Sequence, residues 1–237
     1  SYNTSFGQEA LRANTTASNN TAVGYQAGYS NTTGTGLTSL GYASLNQNTS
    51  GNWNTAVGYQ ASFLNTTGAD NTAMGTAALY PNTTGNYNAA FGSASLRQNT
   101  TGSSNTALGQ SALNNNTTAS DNTAVGYQAS GNNTTGTYNV ALGHNTARLT
   151  TTGGSNTSIG KGAMYYNTTG SNNTSVGREA LVSNTTANNN TAMGYHAGYG
   201  ITSGDQNVAI GYGSGPQSGT GSGALNVYIG SQAASDT

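Results

Sequence analysis

A single pattern of apolar, small and polar positions repeats along the chain with a period of 17 residues. Each unit reads approximately N-T-A-V-G-Y-Q-A-L-x-x-N-T-T-G-x-x and is centred on a glycine, here called the repeat glycine. A register kept through so many units places equivalent residues at the same point of successive coils, as in a solenoid. Thirteen repeat glycines are spaced by 17 residues and a fourteenth follows after 19: Gly7, Gly24, Gly41, Gly58, Gly75, Gly92, Gly109, Gly126, Gly143, Gly160, Gly177, Gly194, Gly211 and Gly230.

Within each unit, large and small apolar side chains follow one another in a fixed order. The residue before the repeat glycine is always large and apolar, as in Val23, Leu40 and Met74, and the residue before that is Ala or Ser in thirteen units. A small residue stands three positions after the glycine, and Leu often follows it. These apolar positions are too few for an independent core, and they predict a continuous core once the units stack.

The segment T-A-V-G-Y-Q-A-L predicts one or two short β-strands in each unit. Thr, Val and Tyr favour strands, and the flanking N-T-T-G is typical of a turn. We predict an all-β fold, a parallel β-solenoid (β-roll) of fourteen stacked coils, with residues 1–237 as a single repeat domain. The irregular last unit, 212–237, is predicted to be a cap or a junction. The repeat glycine is expected to adopt a positive φ or to allow close backbone approach.

Composition excludes several classes of protein. Lys and Arg number five and Asp and Glu six, so charged residues make up 5% of the chain. This surface has too few cations to bind duplex nucleic acid through its phosphates. No apolar run is long enough to insert into a membrane, and the abundant Asn, Thr and Gly disfavour helices.

Asparagine stands four residues before the repeat glycine in every unit except one, where Leu37 replaces it. Amides stacked in register can hydrogen bond from coil to coil, as they do in cross-β stacks, and Asn tolerates left-handed corners. These residues, here called the strand asparagines, are predicted to form a structural ladder: Asn3, Asn20, Asn54, Asn71, Asn88, Asn105, Asn122, Asn139, Asn156, Asn173, Asn190, Asn207 and Asn226.

A second column of asparagines stands seven residues after the repeat glycine and opens an N-T-T or N-T-S triplet. This triplet is an N-glycosylation acceptor, and it is also a favourable turn in a chain rich in Asn and Thr. The glycosylation hypothesis predicts N-glycans along one edge of the solenoid, at the ten residues here called the turn asparagines: Asn14, Asn31, Asn48, Asn65, Asn82, Asn99, Asn116, Asn133, Asn167 and Asn184.

Residues that could carry catalysis or hold a metal are scattered. His144 and His196 lie in different units and at different positions of the repeat, so the sequence contains no apparent triad or metal site. We therefore predict a protein without enzymatic activity and without a cofactor other than covalent N-glycans. The six carboxylates are not spaced as acid–base pairs: Glu9, Asp70, Asp121, Glu179, Asp205 and Asp236.

Aromatic residues recur five positions before the repeat glycine, at Tyr2, Trp53, Tyr87 and Tyr138, and a tyrosine often follows the glycine. Tyr suits half-wet positions because its ring is apolar and its hydroxyl is polar. Packing at a corner or between chains explains these residues. A platform for carbohydrate, formed by the four residues of the first set, is the alternative interpretation.

The unit N-T-A-V-G-Y-Q-A resembles the head repeats of trimeric autotransporter adhesins of the YadA-like type, and related repeats of bacterial and phage surface fibres. The resemblance covers the whole chain and rests on the positions of Asn20, Gly24, Asn54, Gly58 and their equivalents. It implies a left-handed parallel β-roll, association of three chains, and binding to host matrix or other surfaces. The N-T-T-G segment makes this repeat longer than that of the family.

The favoured function is a structural or adhesive segment of an extracellular, cell-surface fibre. Its expected partners are copies of itself, in a homotrimer or an end-to-end filament, and a carbohydrate or surface ligand. An ice-binding solenoid is one alternative, because ranks of Thr exist, although the Thr pair of N-T-T is adjacent and points to opposite faces. A phage tail-fibre shaft is the other.

Overall fold

The computed structural model describes residues 2–218 and 221–233, and these residues contain strands, turns and bends. The chain divides into two compact units, Ser1–Ser120 and Asp121–Thr237. The 17-residue repeat builds both of them. Among the described residues there is no helix of the length and apolarity that crossing a membrane requires. Asp236, one of the six carboxylates considered above, lies outside the described residues.

The first unit is a stack of coils, each of which contributes one three-residue strand. Consecutive strands pair in parallel with a 17-residue offset, so that Thr21 lies beside Thr38 and Val23 beside Leu40. The predicted parallel β-solenoid is confirmed. The strands are β1 (Thr4–Phe6), β2 (Thr21–Val23), β3 (Thr38–Leu40), β4 (Thr55–Val57), β5 (Thr72–Met74), β6 (Ala89–Phe91) and β7 (Thr106–Leu108).

The second unit repeats this architecture. Its strands also pair in parallel with a 17-residue offset, except that β13 pairs β14 with an offset of 19, which places Val208 beside Val227. The insertion in the last unit is therefore accommodated between two paired strands. The strands are β8 (Thr123–Val125), β9 (Val140–Leu142), β10 (Thr157–Ile159), β11 (Thr174–Val176), β12 (Thr191–Met193), β13 (Val208–Ile210) and β14 (Val227–Ile229).

The core is thin because small residues line it. The middle residue of each strand from β2 to β13, such as Ala56 or Ala192, is buried, and the first and third residues point to the opposite side. The Leu four residues after the repeat glycine is also inside, as at Leu45 and Leu79, and Met164 takes the same position in the second unit. These long side chains fill the space that the small strand residues leave.

The prediction that the large apolar residue before the repeat glycine lies in the core is wrong. This residue is the third of its strand and is half-buried or exposed in all the strands described. Leu40 and Met74 are each 41% exposed, and Leu108 is 49% exposed. With only three residues in a strand, two alternate to the outside, and the small middle residue takes the single inward position.

The repeat glycines have a φ between 121° and 139°, a region that residues with a Cβ rarely adopt. Within each unit, a repeat glycine also lies directly against the repeat glycine of the next coil. A Cβ built on Gly126 would stand 2.5 Å from the carbonyl oxygen of Gly143. Both predicted reasons for the glycine, the positive φ and the close approach of backbones, therefore apply at the same residue.

Each regular coil also turns through left-handed corners that are mostly occupied by residues other than glycine. In one coil these are Gln60 (φ 52°) and Ser62 (φ 49°), and Asp70 (φ 57°) occupies the corner before the next strand. Such a conformation is unfavourable for residues with a Cβ. Hydrogen bonds between coils hold it: the N–H of Gln60 donates to Tyr42 O at 2.9 Å, and that of Ser62 donates to Ala78 O at 2.9 Å.

Replacement of Gly126 by Ala is expected to destabilise the fold by roughly 3 kcal/mol or more, because the strained φ and the backbone clash act together. Thermal unfolding followed by far-ultraviolet circular dichroism measures the effect. Gly131, in the same coil, provides the matched control. A Cβ added there meets its nearest atom at 3.3 Å and needs no left-handed φ, so Gly131→Ala should unfold at nearly the parent temperature. Equal effects of the two changes would contradict this account.

Candidate functional site

The strand asparagines hydrogen bond from coil to coil through a side-chain acceptor and a backbone donor. The N–H of Asn88 donates to Oδ1 of Asn71 at 2.9 Å, and the same contact joins Asn173 to Asn156 at 3.0 Å. Leu37, which interrupts the column, still donates its backbone N–H to Oδ1 of Asn20 at 2.9 Å. Each amide thus fixes the start of the strand in the next coil.

The turn asparagines form a second ladder, in which side chain meets side chain. Nδ2 of Asn82 donates to Oδ1 of Asn65 at 2.8 Å, and Nδ2 of Asn99 donates to Oδ1 of Asn82 at 2.9 Å. In the second unit, Asn184 donates to Asn167 in the same way at 3.0 Å. This column therefore also links successive coils along the stack.

The two ladders meet at one backbone carbonyl in the coils that carry both asparagines. Nδ2 of Asn20 and Nδ2 of Asn31 both donate to the carbonyl of Gly34, at 3.0 and 2.9 Å. The turn asparagine thereby closes the N-T-T-G turn. Both of its amide protons are used, one within the coil and one toward the neighbouring coil, where it donates to Oδ1 of Asn14 at 3.3 Å.

The prediction of N-glycans at the turn asparagines is not compatible with these positions. A glycan replaces one amide proton and needs open space at Nδ2, whereas nine of the ten side chains are 0% exposed and their amides are bonded as just described. Asn14, in the first coil, is half-buried and donates to Ala17 O at 3.2 Å. The correction applies to the nine buried residues, Asn31, Asn48, Asn65, Asn82, Asn99, Asn116, Asn133, Asn167 and Asn184, and glycosylation of Asn14 stays a prediction.

The four aromatic residues predicted to contact carbohydrate are exposed and separate from one another. Tyr2 is 86% exposed, Trp53 62%, Tyr87 65% and Tyr138 64%. In the first unit they follow one another after 51 and 34 residues, which is three and two coils. The structure therefore leaves them open to a ligand without bringing them together into one platform.

The tyrosines that follow the repeat glycines do come together. Tyr25, Tyr42 and Tyr59 stack in three successive coils, with ring centroids 5.3 and 5.1 Å apart. In the second unit, Tyr195 and Tyr212 stack at 5.3 Å. Stacked rings of this kind add a stabilising side-chain contact between successive coils.

The outward residues before the repeat glycines form a row that we call the apolar stripe. Strand register places each of them beside its equivalent in the next coil, as Val57 lies beside Met74. The stripe comprises Phe6, Val23, Leu40, Val57, Met74, Phe91 and Leu108 in the first unit, and Val125, Leu142, Ile159, Val176, Met193, Ile210 and Ile229 in the second. Contiguous apolar surface of this kind is typical of a contact site for another molecule.

Charged side chains meet at one place in the second unit. Glu179 Oε2 lies 2.8 Å from His196 Nε2, and Arg178 Nε donates to Glu179 Oε1 at 3.1 Å. The hydrogen bond to His196, supported by Arg178, lowers the pKa of the Glu179 carboxyl against the opposing effect of burial. Across residues 2–218 and 221–233, no three His, Cys, Asp or Glu side chains are grouped so that they could hold a metal ion.

Comparisons with protein-family models, with curated proteins and with solved structures find no match to this chain. Its function must therefore be inferred from the repeat and from the surfaces described above.

Asn82→Asp is expected to destabilise the protein by about 3 kcal/mol or more at neutral pH. A carboxylate there has no proton to donate, and it would face two acceptors, Oδ1 of Asn65 and the carbonyl of Gly85, at a fully buried position. The unfolding temperature at neutral and acidic pH measures the loss. We expect it to be smaller in acid, where the protonated Asp regains one donor.

Asn86→Asp is the matched control in the same coil. Oδ1 of Asn86 accepts a hydrogen bond from Ala69 N–H at 2.7 Å, and a carboxylate can do the same. The equivalent residue of the second unit is already an acid, Asp205, which accepts from Asn188 N–H at 2.7 Å. This variant should stay close to the parent in stability, and a loss as large as that of Asn82→Asp would contradict the ladder argument.

Proposed function

We propose that this chain is a non-enzymatic structural and adhesive segment of an extracellular, cell-surface fibre. In this proposal, copies of the chain associate along the apolar stripe into trimers or longer filaments. The observation that carries it is the exposure of the stripe on the strand face. The resemblance of the repeat to adhesin head repeats supports the extracellular location and the fibre.

The apolar stripe exposes large apolar side chains, which a strand surface in contact only with water does not require. Leu40, Met74 and Leu108 each leave at least 41% of their surface open, and Phe6 is 76% exposed. Burying such side chains against a partner gains about 25 cal/mol for each Å² of apolar surface removed from water. A row of them therefore favours association.

A second copy of the same chain fits the stripe best. The stripe contains no charged residue, so two copies can face each other without like-charge repulsion. Both copies carry outward residues at the same 17-residue period, which lets their side chains interdigitate in one register over several coils. A partner without this period would match the stripe at isolated points only.

The adhesive part of the proposal is supported by the surface outside the apolar stripe. It is nearly uncharged, and it presents single large aromatic rings, Trp53 and Tyr87 among them, at more than 60% exposure. Such rings combine an apolar face with a polar edge and suit contacts with sugars or with other proteins. Contacts made by these uncharged rings are insensitive to salt.

The assembly is tested with the triple variant Leu40→Gln, Met74→Gln, Leu108→Gln. We expect the parent to sediment at a multiple of the 23.7 kDa chain mass and the variant to shift toward the single chain, because polar side chains remove the apolar contact. Sedimentation velocity over a range of concentrations measures the change.

The matched control is Thr33→Gln, Thr67→Gln, Thr101→Gln, which places the same side chain at three exposed positions outside the strands. This control should keep the parent mass. A parent that sediments as a single chain at every concentration, or a stripe variant with unchanged mass, would refute the assembly proposal.

Ice binding is a second candidate, because one rank of Thr faces outward on the strands. Thr21, Thr38 and Thr106 are exposed first residues of their strands, and Thr21 lies beside Thr38 in the sheet. The first Thr of the N-T-T turns instead donates its hydroxyl to the next coil, as Thr66 Oγ1 does to Thr83 O at 2.8 Å. Shaping of ice crystals in a nanolitre droplet by the parent, and its loss in Thr21→Leu, Thr38→Leu, would favour this function. Unshaped crystals would eliminate it.

A further inference from the structure

A surface pocket of about 260 Å³ lies in the second unit. Four successive coils, those of Gly143, Gly160, Gly177 and Gly194, supply its walls. The ionisable and aromatic side chains of the pocket come from the corners that follow these glycines: His144, Lys161, Tyr165, Tyr166, Glu179 and Tyr199. Ligand pockets are concavities that combine apolar walls with a few polar groups, and this pocket has both.

Three tyrosines give the pocket aromatic walls. The rings of Tyr165 and Tyr166 meet edge to face, with centroids 4.8 Å apart and planes 71° apart, so their faces form a corner. The ring of Tyr199 lies against that of His196, with centroids 4.7 Å apart. A sugar ring presents C–H groups on its faces and hydroxyls around its edge, which matches the apolar ring and polar hydroxyl of Tyr.

One acceptor in the pocket lacks a donor. Oδ1 of Asn145 is buried and, within the described part of the chain, accepts no hydrogen bond, although the backbone N–H of the same residue donates to Tyr127 O at 2.9 Å. A buried acceptor without a partner is costly. Because this oxygen is closed to solvent, a hydroxyl of a bound sugar supplies the missing donor once the Asn145 side chain rotates toward the pocket that the residue lines.

The charge of the pocket is set by Lys161. Glu179 is already engaged by His196 and Arg178, whereas no described carboxylate lies within ion-pair distance of Lys161. The charge left for a ligand is therefore a cation, and it favours a ligand with an anionic group. A sugar ring that carries a carboxylate can pair with this cation and also pack against the aromatic corner.

We propose that this pocket binds a single sugar unit that carries a carboxylate, of the uronic acid class. The inference rests on the proposed adhesive function, for which it names a ligand class and a site. Lys161 binds the carboxylate, Tyr165 and Tyr166 contact the ring, and Asn145 accepts a hydrogen bond from a hydroxyl. The single sugar and the same unit within an oligosaccharide share this chemistry, so the test includes both.

The experiment uses the full chain and saturation-transfer difference NMR, which reports on the ligand whatever the size of the protein assembly. The probes are methyl β-D-glucuronide, methyl β-D-glucoside as its neutral equivalent, and an oligosaccharide that contains glucuronate. We expect the parent to bind the glucuronide more tightly than the glucoside. A terminal site binds the free glycoside and the oligosaccharide alike, and an extended site binds the oligosaccharide more tightly.

Lys161→Gln should lower the preference for glucuronide over glucoside by about fivefold, the effect of one exposed ion pair. Tyr166→Ala and Asn145→Ala should weaken both glycosides, because they remove a ring contact and an acceptor. Arg97→Gln removes a cation outside the pocket and Tyr138→Ala removes an exposed ring outside it. Both controls should bind like the parent.

Equal binding of glucuronide and glucoside by the parent would overturn the proposal, as would an unchanged preference in Lys161→Gln. Loss of binding in Tyr138→Ala would place the sugar on the exposed aromatic residues instead. The same titrations on the stripe triple variant separate the two proposals. Binding without assembly supports the pocket alone, and assembly without binding supports the fibre alone.

Discussion

The hydrogen bond from one buried asparagine amide to the next is the interaction on which the rest of this fold depends. An amide carries a donor and an acceptor on opposite sides, so a column of identical amides can satisfy itself along a stack. Asn82 donates to Asn65 and accepts from Asn99, and its second proton closes the turn at Gly85. An inserted residue would shift one amide out of register with the next, which explains the constant 17-residue period along this column.

Several other features follow from that ladder. Coils held at strand spacing leave room at the middle strand position only for small residues, and at the repeat glycines only for backbone against backbone. Left-handed corners, such as that at Gln60, are stabilised because the backbone N–H of the corner residue donates a hydrogen bond to the neighbouring coil. The small number of charged residues has the same origin, because a charged residue repeated in every coil would lie close to the same charge in the next coil.

The sequence predicts much of the fold and less of the site. The period, the parallel strands and the role of the repeat glycine follow from spacing alone, because one register determines which residues stack.

Two assignments were wrong for physical reasons. Three-residue strands have a single inward position, so Leu40 and its equivalents face out. The N-T-T-G segment suits a glycan or a buried turn equally, and only the hydrogen bond from Nδ2 of Asn31 to Gly34 O decides between them. The pocket was missed because four coils build it.

The regularity that stabilises the solenoid also limits where specific recognition can arise. A perfect repeat presents the same group in every coil, which suits association with an equally periodic partner along the apolar stripe. A site for one small ligand needs different groups side by side, and therefore needs departures from the repeat. Such departures are tolerated where unlike groups face each other in successive coils, as Glu179 faces His196 at 2.8 Å. The pocket beside this pair combines the Lys161 cation, the unpaired acceptor of Asn145 and aromatic walls, and no run of identical coils could bring these different groups together.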